Sequence, residues 1–226
     1  MSTELAIIQF PGSNCDRDML EAFSRHFQIQ PKFIWHSERR LPKVDGVIIP
    51  GGFSFGDYLR SGALAAHAPI MQEVREFARK GGAIMGICNG FQILTEAKLL
   101  PGALLRNSRR SFLCHTCDLE THAGDSPYHK AIGMKMLSMP IAHGEGRYYI
   151  DSEGLSRLES EGQILLRYNR KHDNPNGSTD WIAGITSKNG RILGLMPHPE
   201  RATDFIVGGS TDGLLVLQGF LNATQS

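Results

Sequence analysis

Short apolar runs alternate with amphipathic stretches through the first hundred residues, and this alternation narrows the possible folds more than any other feature. Residues 5–10 read as a buried strand, punctuated by Pro11-Gly12-Ser13-Asn14. Residues 16–27 read as a helix, because Met19, Leu20, Phe23 and Phe27 fall on one helical face. Residues 32–35 and 46–49 read as further strands, and 63–80 as a helix closed by Gly81-Gly82. Residues 83–87 form a fourth candidate strand, and a helix over 89–97 begins directly after it. Strands alternating with helices predict parallel βαβ units: an α/β fold with a mostly parallel sheet flanked by helices. In such folds ligands sit at the carboxyl ends of the strands. Two glycine-rich turns lie at such ends, Pro50-Gly51-Gly52-Phe53 and Gly86-Ile87-Cys88-Asn89-Gly90.

The second half is richer in strand-like runs, at 112–120, 134–139, 163–168, 181–186 and 192–196, with helices over 152–160 and 213–222. No low-complexity linker and no internal repeat interrupts it. The expectation is a single domain over residues 1–226, its parallel sheet carrying an antiparallel extension.

Charge and composition exclude several classes. Lys and Arg number 24 against 23 Asp and Glu, so the basic surplus of a nucleic-acid binder is missing. No apolar run approaches the length of a membrane span. The start, Met1-Ser2-Thr3-Glu4, lacks the basic and apolar regions of a signal peptide. Cys15, Cys88, Cys114 and Cys117 are too sparse for a disulfide framework, which points to free thiols and a cytoplasmic protein.

Gly86-Ile87-Cys88-Asn89-Gly90 has the G-x-C-x-G form of a nucleophile elbow. A strand-to-helix turn this sharp strains the central residue and needs neighbours without Cβ. It also sets the sulfur at a helix N-terminus, which favours thiolate. The Asn89 N–H would face a developing oxyanion, and a glycine such as Gly52 could supply a second donor. Pro197-His198-Pro199-Glu200 places His and Glu two residues apart, on one side of an extended chain. That is the spacing of a base and its orienting acid. The residues alone leave open a buried cysteine in a plain turn and a surface His and Glu. Cys114-His115-Thr116-Cys117, with His122 and His129 nearby, could suggest zinc, but no second close-spaced pair follows. In a strand the two thiols would also face opposite sides, so no metal is expected. Arg106, Arg109 and Arg110 read as a solvated loop, and His143-Gly144-Glu145-Gly146-Arg147 as a turn. No nucleotide-binding glycine loop is present.

Taken together, Pro50-Gly51-Gly52, Gly86-Ile87-Cys88-Asn89-Gly90-Phe91-Gln92 and Pro197-His198-Pro199-Glu200-Arg201 resemble the triad (class I) glutamine amidotransferases. Three further segments are similar to one branch of that family, the glutaminase subunits of phosphoribosylformylglycinamidine synthases. They are Pro11-Gly12-Ser13-Asn14-Cys15-Asp16, the run from Gly51 to Arg60, and His143-Gly144-Glu145-Gly146. The resemblance implies Cys88 as nucleophile, His198 as base and then acid, and Glu200 as its orienter. It implies backbone oxyanion donors at Gly52 and Asn89, with Gln92 and His143 binding substrate glutamine. It further implies that ammonia passes to a large synthetase subunit, with room for a small accessory subunit in the same complex. ATP and Mg would act on that synthetase, with no cofactor on this chain. A Cys-His-Glu γ-glutamyl peptidase and a non-catalytic binding module of the same fold are the alternatives. An ammonia generator without an ATP site of its own is expected to be switched on by its partner. A peptide flip at Gly51-Gly52 is the candidate switch.

Overall fold

The computed structural model describes residues 3–172 and 174–226. Eleven strands and seven α-helices are found among them. In chain order the first half runs β1 (Leu5–Gln9), α1 (Asp16–Phe27), β2 (Lys32–Trp35), β3 (Gly46–Ile49), α2 (Ile70–Arg79), β4 (Ala83–Ile87) and α3 (Asn89–Glu96). The second half runs β5 (Ala103–Leu105), β6 (Leu113–Thr121), α4 (Pro127–Ile132), β7 (Met136–His143), β8 (Arg147–Tyr149) and α5 (Ser152–Ser160). It continues with β9 (Ile164–Tyr168), β10 (Ile182–Thr186), β11 (Ile192–Leu195), α6 (Phe205–Gly208) and α7 (Gly213–Thr224).

Nine strands form one sheet in the order β2-β1-β3-β4-β11-β10-β9-β6-β7. From β2 to β11 neighbouring strands are parallel, and from β11 to β7 they are antiparallel. The mostly parallel sheet with an antiparallel extension is therefore found, though the extension is nearly as wide as the parallel part. β3, β4 and β11 are buried throughout, as strands covered on both faces should be.

The expected helix over 63–80 is broken. A short 3-10 turn at Ala65–His67 precedes Pro69, and the α-helix begins only at Ile70. Proline offers no N–H to a preceding turn, but its fixed φ suits a helix start. The strand predicted over 134–139 instead runs to His143, so His143 ends a strand rather than sitting in a turn.

The parallel register positions the site. Ile49 pairs with Gly86 on one side of β4, and Leu195 with Ile87 on the other. The carboxyl ends of β3, β4 and β11 thus meet, bringing together the turns after Ile49, Ile87 and Leu195. The turn after β1 joins them through an isolated bridge between Ser13 and Gly52. Close approach fixes one elbow glycine: a Cβ on Gly90 would lie 1.9 Å from the Ile49 carbonyl oxygen. Gly90→Ala must push α3 off β3, at a cost of about 1–3 kcal/mol of overpacking. Each kcal/mol corresponds to roughly 2–4 °C in Tm for a chain of this size. Calorimetry checks this, and an unchanged Tm would contradict it.

Candidate active site

Cys88 lies between β4 and α3 with φ 51° and ψ −105°. A non-glycine residue rarely takes positive φ, and strain of this kind collects at functional positions. The Cys88 N–H donates to the Leu195 carbonyl at 2.8 Å, which ties the elbow to β11. The sulfur is 3.6 Å from the Ala142 carbonyl oxygen. The Asn89 N–H belongs to the first helical turn, where N–H groups have no intrahelical acceptor.

His198 follows β11, and its N–H donates to the Pro140 carbonyl at 2.9 Å. Its Nδ1 is 2.6 Å from Glu200 Oε1, and the two residues are only 2% and 5% exposed. Burial pulls the His198 pKa down. The Glu200 carboxylate and the neighbouring Cys88 and Cys15 thiols outweigh it and hold the pKa well above the usual histidine range. A buried imidazolium beside a thiol is the electrostatic setting of an activated cysteine nucleophile. Cys88, His198 and Gly52 wall one cavity of about 150 Å3. The structure thus brings together all three residues predicted as nucleophile, base and orienter.

The Gly51-Gly52 peptide has a defined orientation. The Gly51 carbonyl accepts from the N–H groups of Asn14 at 3.4 Å and Cys15 at 3.3 Å. In a trans peptide the Gly52 N–H points the opposite way, away from that loop. Gly52 has φ 145°, and a Cβ there would lie 2.7 Å from the Gly12 carbonyl oxygen. The turn therefore requires glycine.

Gln92 and His143 are placed differently from expectation, since neither lines the cavity. Gln92 is buried, its Oε1 accepting from Asn89 Nδ2 at 2.9 Å and its Nε2 donating to the Glu145 carbonyl at 2.5 Å. His143 packs on the opposite face of β7 from Ala142, the β7 residue that lines the cavity. Its Nδ1 is 3.1 Å from Asn107 Oδ1, and burial lowers its pKa to about 3, so the ring is neutral.

Cys114 and Cys117 lie on β6, one exposed and one buried, as a strand reading requires. Burial, with a smaller contribution from Asp118, pushes the Cys117 thiol up to about 12. Arg106 pairs with Glu145 at 3.2 Å.

Two cavity residues escaped individual notice in the sequence. Cys15 caps the start of α1, and Arg201 Nη2 donates to its sulfur at 3.2 Å while Nε donates to Asp18 at 3.0 Å. Both belong to motifs quoted above, but it takes the Ser13–Gly52 bridge and the hydrogen bonds of Asn14 and Cys15 to the Gly51 carbonyl to bring the turn after β1 against the Gly51-Gly52 turn.

Residues 2–210 match the family of CobB/CobQ-like glutamine amidotransferase domains. The chain belongs to that family. A phosphoribosylformylglycinamidine synthase subunit PurQ from Thermus thermophilus is 52% identical to this amidotransferase, with 96% of each chain covered. The subunit of the same name from Salinibacter ruber is 47% identical, covering 98% of this chain and 97% of that one. Among solved structures, a chain of PurLQS from Thermotoga maritima superposes with a TM-score of 0.87 at 42% identity, covering 98% and 99% of the two chains. A second glutamine amidotransferase from Thermotoga maritima, at 16% identity and TM-score 0.61, shares the fold.

Proposed function

We propose that Cys88, His198 and Glu200 hydrolyse glutamine within a phosphoribosylformylglycinamidine synthase, residues 1–226 acting as a single amidotransferase domain. The chain is then the glutaminase component of that complex, in purine biosynthesis. One observation carries the residue assignment: the buried His198–Glu200 pair, 2.6 Å apart, faces the cavity that strained Cys88 walls.

The steps follow from ordinary chemistry. The Cys88 thiolate attacks the side-chain carbonyl carbon of glutamine. The N–H groups of Asn89 and Gly52 receive the negative charge on the tetrahedral oxygen. His198 protonates the departing nitrogen, ammonia leaves, and Glu200 holds the ring and its positive charge. His198 then takes a proton from water, which hydrolyses the thioester to glutamate. Gln92 and His143 lie outside the cavity and act on the turn from Gly144 to Gly146, Gln92 through the Glu145 carbonyl and His143 through Asn107, which also accepts from the Gly146 N–H. In the present arrangement they brace that turn.

Ammonia passes to the synthetase subunit, which uses ATP and Mg to convert formylglycinamide ribonucleotide to formylglycinamidine ribonucleotide. The proposal places the enzyme in the cytoplasm, which suits four free thiols. Among the described residues no helix is long and apolar enough to cross a membrane.

Switching by the partner would act through the segment from Phe53 to Arg60. Tyr58 and Leu59 are strongly exposed there, and Phe55, Asp57 and Leu59 all hold positive φ. The Ser54 N–H donates to Asn89 Oδ1 at 3.1 Å, which couples the segment to the oxyanion donors. A flip of the Gly51-Gly52 peptide would break both hydrogen bonds to the Gly51 carbonyl, at about 1 kcal/mol each. Gly52→Ala is expected to lower glutaminase activity by the roughly 10²–10³-fold that loss of one oxyanion donor costs. An active Gly52→Ala enzyme would remove Gly52 from the mechanism. Exhaustive chelation is expected to leave activity intact. One zinc per chain, lost together with activity, would overturn that.

The test of the function is reconstitution. The purified chain is added to the synthetase subunit with formylglycinamide ribonucleotide, ATP, Mg and glutamine. Glutamine-dependent formation of the amidine is expected. Peptide hydrolysis without it would favour the γ-glutamyl peptidase reading.

A further inference from the structure

Neither Gln92 nor His143 lines the cavity, so the side chains that grip a substrate there are to be sought among those that wall it. Cys15, Cys88 and His198 are its buried members, while Asn14, Phe53 and Phe112 are exposed and mark its mouth. The hydrolysis described above uses neither phenylalanine. Their rings stack, with centroids 6.4 Å apart and planes 28° from parallel. Phe53 is nevertheless 45% exposed and Phe112 53%. The two come from distant parts of the chain. Phe53 follows Gly52; its N–H donates to the Gly12 carbonyl at 2.9 Å, and its carbonyl accepts from the Gly56 N–H at 2.8 Å. Phe112 immediately precedes β6 and lies beside the Gly144 turn, where a Cβ on Gly144 would be 3.7 Å from Phe112 Cδ2.

We propose that Phe53 and Phe112 are substrate-binding residues that close on the aliphatic chain of glutamine, the two methylenes between its α-carbon and its amide, and so hold the amide carbon against the Cys88 sulfur. The inference rests on the catalytic reading of Cys88.

Glutamine presents two kinds of surface. Its amide and its α-groups need hydrogen bonds, whereas its methylenes gain by leaving water. Small-molecule sites answer with apolar and aromatic walls and a few placed polar groups. Here the thiol and the imidazole lie at the buried end of the cavity and the rings at its open end. A pair of rings half in water has apolar area left to bury, and a methylene chain beside them buries that area together with its own. The Phe53 backbone is held at both its N–H and its carbonyl, so its ring adjusts by side-chain rotation. Rotation of exposed side chains is fast, on the scale of picoseconds to nanoseconds. The clamp therefore costs no rearrangement of the Gly51-Gly52 peptide.

The test uses the full chain assembled with its synthetase subunit. Burying two methylenes is worth roughly tenfold in affinity. In Phe112→Ala the KM for glutamine should rise by about that factor, with a smaller change in kcat, the pattern of lost uniform binding. Phe112→Leu keeps an apolar wall and should recover most of the loss. Labelling separates a lost contact from a disturbed cavity. An electrophilic glutamine analogue carries the methylene chain, and iodoacetamide does not. At subsaturating reagent, Phe112→Ala should slow labelling of Cys88 by the analogue by a similar factor, and leave labelling by iodoacetamide as fast as in the wild type or faster. Unchanged KM and unchanged analogue labelling would overturn the proposal, as would equal slowing with both reagents, or a Phe112→Leu enzyme as impaired as Phe112→Ala. A wild type whose Cys88 the analogue leaves unlabelled would instead remove the catalytic reading, and the clamp with it.

Discussion

Cys88→Ala is expected to abolish glutamine hydrolysis, by about 10⁴-fold or more, because the other groups only assist a nucleophile. It should leave ammonia-dependent amidine synthesis intact in the assembled complex, because the acceptor chemistry belongs to the synthetase. The structure sharpens this expectation by placing a second thiol, Cys15, in the same cavity. Cys15 lies at the N-cap of α1 with no elbow behind it, while Cys88 sits at the start of α3 in the strained turn. A glutamine analogue with an electrophilic γ-carbon should therefore alkylate Cys88 and spare Cys15. Peptide mass spectrometry reads the site directly. Label on Cys15, or appreciable turnover in Cys88→Ala, would refute the assignment.

His198→Ala should be almost as damaging, since members of a catalytic unit do not contribute additively. Glu200→Gln should cost less, because glutamine can still accept from the ring N–H and hold its orientation. What it removes is charge. The Glu200 carboxylate opposes the effect of burial and helps hold the His198 pKa high. Without it the imidazolium loses its proton at lower pH. The alkaline limb of kcat/KM should then shift toward acid in Glu200→Gln, while His198→Ala loses the limb altogether. Stopped assays of glutamate release across pH would show this. A larger loss in Glu200→Gln than in His198→Ala would reverse the two roles.

Most of the parallel half was legible in the sequence for a physical reason. Strands buried on both faces are unbroken apolar runs, and β3 and β4 match the predicted ranges residue for residue, as does the largely exposed edge strand β2 with its three consecutive apolar residues. The helix α1 does so too, because its apolar face repeats at helical spacing. Short elements were not legible. β5 and β8 pair only with each other, and α4 and α6 are a turn or two long, too brief for periodicity to register. The break at Pro69 was overlooked because the apolar pattern runs through it. In the site, local motifs exposed Cys88, His198 and Glu200. Gln92 and His143 could not be placed this way, because what engages them is tertiary: the Glu145 carbonyl for one and Asn107 for the other. Cys15 likewise depends on a bridge between two turns far apart in the chain.

The direct pairing of β4 with β11 has a bearing on how such chains can diverge. Nucleophile and base are set by one ladder of hydrogen bonds, whose two strands bracket the long stretch from α3 to β10. Lengthening or trimming a surface loop within that stretch alters no peptide unit of the ladder. Chain length can thus vary between β4 and β11 while the spacing of sulfur and imidazole stays fixed. A slip of the ladder by a single residue, by contrast, would turn one of the two partners toward the opposite face of the sheet.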